Sequence, residues 1–131
     1  PNVYIQRRAK GLLRKFDAKG ALDTTYPYPV QVWKLGDTLQ FTVLGGEATV
    51  DYSLRLKYEL GREKQFVIAY ANDVCSYIPS LRVLREGGYE GESSMIYYGF
   101  YGPWAPPIEE DIVAAVHELT EQTGAAVANG G

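Results

Sequence analysis

Cysteine and histidine are almost missing from this sequence, which has one of each, Cys75 and His117. A single cysteine excludes an internal disulfide framework and any cysteine-rich zinc site. A single histidine excludes a self-contained histidine metal site and a two-histidine acid–base pair. No apolar run approaches the ~18 residues of a spanning helix, so no transmembrane segment is expected. The opening, Pro1-Asn2-Val3-Tyr4, has neither an initiator Met nor a charged-then-apolar leader. We expect a domain that belongs to a longer chain. Neither sign of charge is in large excess, with a net charge of −3 over 131 residues. That balance points to no nucleic-acid or anionic-membrane partner.

What is present is an ordinary globular composition, 46% hydrophobic and 22% charged, in a length that suits one domain with a real core. Residues 3–18 have helical periodicity, with Ile5, Ala9, Leu12, Leu13 and Phe16 on one face and mostly basic residues on the other. After a proline-punctuated link, Val30–Lys34 and Leu39–Leu44 read as strands joined by a turn at Gly36-Asp37. Gly45-Gly46 breaks the second strand. Residues 49–60 then turn helical, with Thr49 as N-cap and Asp51 in the first turn. That helix has apolar residues on two sides, Val50, Leu54 and Tyr58 against Tyr52, Leu56 and Leu60, so we expect it to be covered on both faces, by local elements or by an absent partner segment.

Phe66–Ala71 reads as a buried strand, Asn72–Gly91 as irregular with one helical turn near 80–85, and Met95–Phe100 as strand or pocket wall. The last helix opens at Pro106-Pro107, carries Glu109, Glu110 and Asp111 in its first turn, and is expected to close at Gly124. Residues 125–131 are expected to form a flexible tail. The order of elements predicts a single α/β domain over 1–124, a layered mixed sheet with helices packed on it.

Functional groups of α/β sheets gather in the loops after the strands. Two such loops contain candidates: Leu44-Gly45-Gly46-Glu47, and Ala71-Asn72-Asp73-Val74-Cys75-Ser76-Tyr77. Neighbouring strands would bring Glu47 and Tyr77 to one edge. Each candidate also has a plain structural reading. Glu47 would stabilise a helix dipole, Asn72-Asp73 would bond its own backbone in a turn, and Tyr77 and Tyr89 would be packed aromatics.

Three blocks in order, LGDTLQFTVLGGE (35–47), IAYANDVCSYIPS (68–80) and GGYEG (87–91), resemble the neutral/alkaline non-lysosomal ceramidase family. The spacing of twelve residues from Tyr77 to Tyr89 follows that family's pattern. The resemblance implies a part of a larger catalytic domain that hydrolyses N-acyl amide bonds of ceramide-like lipids. It implies that Glu47 and Tyr77 ligate zinc, that Tyr89 binds the scissile carbonyl, and that Asn72 shapes the loop presenting Tyr77. The remaining zinc ligands and the nucleophile would come from the N-terminal part of the same enzyme, so the chain by itself would be incomplete. A secreted or periplasmic location would follow from the family. The stretch between Glu47 and Tyr77 is shorter than in well-known members.

Two other readings stand beside it. Cys75 and His117 could form a cysteine hydrolase dyad, which requires the two side chains within hydrogen-bond reach. The aromatic run Tyr97–Trp104 could instead be the surface of a non-catalytic binding or subunit-interaction module.

Overall fold

The computed structural model describes residues 2–128, with side chains to residue 124. Helix α1 (Val3–Lys19) begins where Asn2 Oδ1 accepts the Tyr4 amide at 2.9 Å, and ends at Gly20. Strands β1 (Val30–Leu35) and β2 (Leu39–Leu44) form the antiparallel hairpin that Gly36-Asp37 predicts. Helix α2 (Val50–Leu60) carries the chain over to β4 (Gln65–Ile68), which lies parallel to β2. A hairpin and a β–α–β crossover thus share β2, giving a mixed sheet of order β1-β2-β4. A separate two-stranded parallel pair joins β3 (Glu47–Ala48) to β5 (Tyr77–Ile78). Helix α3 (Leu81–Glu86), a π-helical turn (Tyr89–Ser93), α4 (Met95–Tyr98) and α5 (Ile108–Ala128) complete the domain. The fold is α/β, a small layered mixed sheet with helices packed on it.

The core lies between the inner sheet face and helices α2 and α5. Leu44, Tyr52, Leu56, Ile78 and Val116 are fully buried there, with Ile112 and Val113 beside them. The inner face also contains Gln40, Thr42 and Gln65, which are buried but bonded. Gln40 Nε2 donates to Thr120 Oγ1 at 2.8 Å, and Thr42 Oγ1 donates to Gln65 Oε1 at 3.2 Å. Their pairing removes most of the penalty of burying polar groups.

The opposite sheet face is apolar and open. The period-2 alternation of strands places Trp33, Leu35, Phe66 and Ile68 on it, all exposed, with Phe41 stacked on Phe66 at 5.4 Å.

Several expectations are corrected. Of the two ways of covering α2, the chain's own elements supply one side only: Tyr52 and Leu56 are buried, whereas Val50, Leu54 and Tyr58 stay open. Of the two readings of Met95–Phe100, the strand gives way to a helix over Met95–Tyr98, closed by Gly99 at φ 79°, while Tyr98, Gly99 and Phe100 do line a cavity. Strand β4 stops at Ile68 because Tyr70 and Asn72 take left-handed backbone, at φ 58° and 66°, which no strand continues through. Helix α5 runs through Gly124 to Ala128. Gly124 therefore does not terminate the helix, and a Cβ there would lie 3.2 Å from Lys34 Nζ. That ammonium donates to the Thr120 carbonyl at 3.0 Å. Of the expected tail, residues 129–131 lie outside the described residues.

Candidate functional site

The turn after β2 is built around Gly46. Its φ is 60°, and a Cβ there would come 2.7 Å from the Ser76 carbonyl oxygen and 2.8 Å from Ile78 Cγ1. Only glycine accepts both that backbone and that approach. The Gly46 amide donates to the Asp73 carbonyl at 2.6 Å, and the Glu47 amide donates to the Ser76 carbonyl at 2.9 Å. Two residues further on, the Thr49 amide donates to the Ile78 carbonyl at 3.1 Å. These bonds hold the two loops together and put Glu47 and Tyr77 on the same rung of the β3–β5 pair. Neither residue sits in the free loop that the sequence predicts.

Tyr89 joins them from the π-helical turn. Its ring meets that of Tyr77 edge-on, with centroids 5.5 Å apart at 73°. Tyr97 of α4 lies beyond, 6.3 Å from Tyr89. The turn seats closely on α3, because Gly91 leaves room for the Val83 carbonyl, which a Cβ would approach to 2.6 Å. π-turns of this sort recur at functional sites.

Tyr70 is the member of the cluster that the sequence leaves unmarked. Its amide donates to the Gly46 carbonyl at 2.8 Å while its φ is 58°. A bulky residue in left-handed backbone costs about 1–3 kcal/mol and persists only where its surroundings hold it. Hydrogen bonding to the Glu47 carboxylate, with burial second, pushes the Tyr70 phenol up to about 12. The same causes push Tyr77 up to about 12. Tyr98 is raised as well, by burial first and then by the Glu47 charge. One carboxylate thus acts on three phenols around it and keeps them protonated.

A cleft of about 470 Å³ opens beside this cluster, lined by Glu47, Tyr77, Asp51, Arg82, Glu86 and Glu90 among others. Arg82 bridges Asp51 and Glu86, at 2.9 Å to each. Its guanidinium, bonded to Asp51, holds that carboxyl below the usual carboxylate range. Thr49 Oγ1 accepts the Ser80 amide at 3.1 Å instead of capping α2. Ser80 caps α3 by accepting the Val83 amide at 3.2 Å.

Asn72 and Asp73 bond to distant residues rather than to their own turn. Asn72 Nδ2 donates to Gln31 Oε1 at 3.2 Å, and Asp73 accepts the Tyr26 hydroxyl. Trp104 and Phe100 of the aromatic run turn inward. The Trp104 indole donates to the Tyr77 carbonyl at 2.9 Å and so braces β5, while Tyr97 and Tyr101 remain exposed.

The cysteine–histidine dyad is not assembled. Cys75 is buried in the core, and burial pushes its thiol up. His117 bonds Glu59 of α2 at 2.6 Å.

Oxygen donors from Glu47 and Tyr77 suit part of a zinc shell, which is usually four-coordinate. Among the described residues no group of three or more His, Cys, Asp or Glu gathers to complete it. Compared with protein-family models, curated proteins and solved structures, the chain matches none.

Proposed function

We propose that this chain is the C-terminal portion of a zinc-dependent amidase that hydrolyses N-acyl amide bonds of ceramide-like lipids. Glu47 and Tyr77 are two of its zinc ligands, and the N-terminal part of the same enzyme supplies the others and the nucleophile. The observation that carries this reading is the pairing of Glu47 with Tyr77 on one rung, with the Tyr89 ring against Tyr77. The metal, when bound, polarises the amide carbonyl or activates the attacking group. Tyr89 donates its hydroxyl to the carbonyl oxygen as negative charge develops there, a role supported by its being about half exposed beside the cleft. Tyr70, from the other loop, is near enough to the Glu47 carboxylate for its phenol to be held up to about 12. The open apolar faces around Trp33 and Phe66 and along Val50, Leu54 and Tyr58 agree with a missing half that packs on this one.

The same faces favour a second reading, a non-catalytic module that binds a protein partner through them. Fatty-acid release from an N-acylsphingosine by the enzyme containing this segment separates the two. Loss of a tyrosine donor at the developing oxyanion lowers kcat by about 10²–10³. Y89F is expected to do so, and E47Q to abolish turnover. Unchanged turnover in both variants rejects the amidase reading and leaves the module.

A further inference from the structure

We propose that α1 docks the protein on an anionic lipid surface. The helix spans 17 residues and buries none of its side chains. Successive residues of a helix turn by about 100°, which places Ile5, Ala9, Leu13 and Phe16 within one narrow arc. Ile5, Leu13 and Phe16 are 53%, 61% and 52% exposed. The helix touches the rest of the fold along a different line. Tyr4 meets Tyr97 edge-on at 4.8 Å, Arg8 donates to the Tyr101 carbonyl, and Leu12 faces the chain behind it. The domain therefore takes only the Leu12 edge of the apolar face and leaves Ile5, Leu13 and Phe16 open.

Charge identifies the occupant. Helix α1 holds six of the thirteen basic residues of the chain and, in Asp17, one of the sixteen acidic ones. The net charge of −3 averages over this separation and hides it. Lys15 and Lys19 flank the arc on one side and reach Asp23 at 4.0 and 2.7 Å. Arg7, Lys10 and Arg14 follow on the other flank and have no acidic partner among the described residues. A helix buried in a protein core seldom carries so many unpaired cations. A helix lying in a lipid interface places its apolar stripe among acyl chains and its basic flanks among anionic headgroups. Three large apolar side chains bind a neutral bilayer weakly, so the headgroup charge is a required part of the attraction.

The test is co-sedimentation of the whole chain with two kinds of vesicle, phosphatidylcholine alone and phosphatidylcholine containing one-third phosphatidylserine. Neither contains an amide-linked lipid, so the result is independent of the amidase reading. The chain is expected to sediment with the anionic vesicles, less so as salt is raised, and to stay in solution with the neutral ones. Each basic residue near the surface contributes about a fivefold factor in binding, so K10E/R14E is expected to weaken it by at least about tenfold. L13D/F16D is expected to abolish it. Both variants change exposed positions, and circular dichroism should show them folded. Failure of the wild-type chain to sediment with anionic vesicles at low salt overturns the proposal. Equal binding to neutral vesicles overturns it too. So does a wild-type dimer in light scattering that L13D disperses, since a second copy would then cover the arc.

Discussion

Glu47 and Tyr77 are register partners in the short parallel pair β3–β5, and the Glu47 amide is bonded to the carbonyl of Ser76, the residue before Tyr77. Thirty positions of chain separate them, filled by helix α2, strand β4 and a loop with two left-handed residues. The contact between the two loops is therefore a product of the whole fold rather than of either loop.

Gly46 is the hinge of that contact. Replacement by alanine meets both an unfavourable φ of 60° and an approach of 2.7 Å to the Ser76 carbonyl. G46A is expected to cost about 2–4 kcal/mol in urea unfolding. Gly99 has a similar φ, 79°, with nothing within 4 Å of a built Cβ. G99A therefore carries the backbone penalty alone, about 1 kcal/mol. Equal losses in the two variants would mean that the two loops are not in contact at Gly46.

Arg55 ties α2 to the start of α5. It reaches Glu59 at 2.8 Å, Glu109 at 2.9 Å and Glu110 at 2.7 Å. Bonding to this guanidinium lowers the carboxyl pKa of Glu59 and of Glu110. A depressed folded-state pKa contributes stability that is present above the unfolded value and lost as pH falls through the folded one. The wild-type chain is therefore expected to lose stability steadily below about pH 4.5. R55M is expected to be less stable at neutral pH and to show a shallower acid limb. Thermal unfolding across that range checks both, and an unchanged limb in R55M would remove Arg55 as its cause.

Much of the architecture was legible in the sequence because it rests on local rules. Helical periodicity placed α1, α2 and α5, alternation and the Gly36-Asp37 turn placed the hairpin, and Pro106-Pro107 with three acidic residues placed the start of α5. What stayed hidden rests on contacts between distant residues. The two-residue strands β3 and β5 have no periodicity to read, and a left-handed tyrosine at position 70 has no local signature. Gly124 has the residue type of a helix stop but sits within α5, close to Lys34, 90 positions earlier in the chain. The apolar stripe of α1 was readable, whereas the exposure of Ile5, Leu13 and Phe16 along it was not. At the site, the loops bearing Glu47, Tyr77 and Tyr89 could be chosen from the sequence, and Tyr70 could not.

The most direct test of the central claim is zinc titration of the folded chain, followed through the near-ultraviolet band of tyrosinate at mildly alkaline pH. The Tyr77 phenol is held up to about 12 beside Glu47, so it stays protonated there without a cation. A bound dication reverses that preference and favours the phenolate. With part of the shell present, binding is expected to be weak and to require millimolar zinc. Zinc ligation by Glu47 and Tyr77 is expected to give a zinc-dependent tyrosinate band that Y77F and E47Q both remove. No band at millimolar zinc, or a band that survives Y77F, would contradict it.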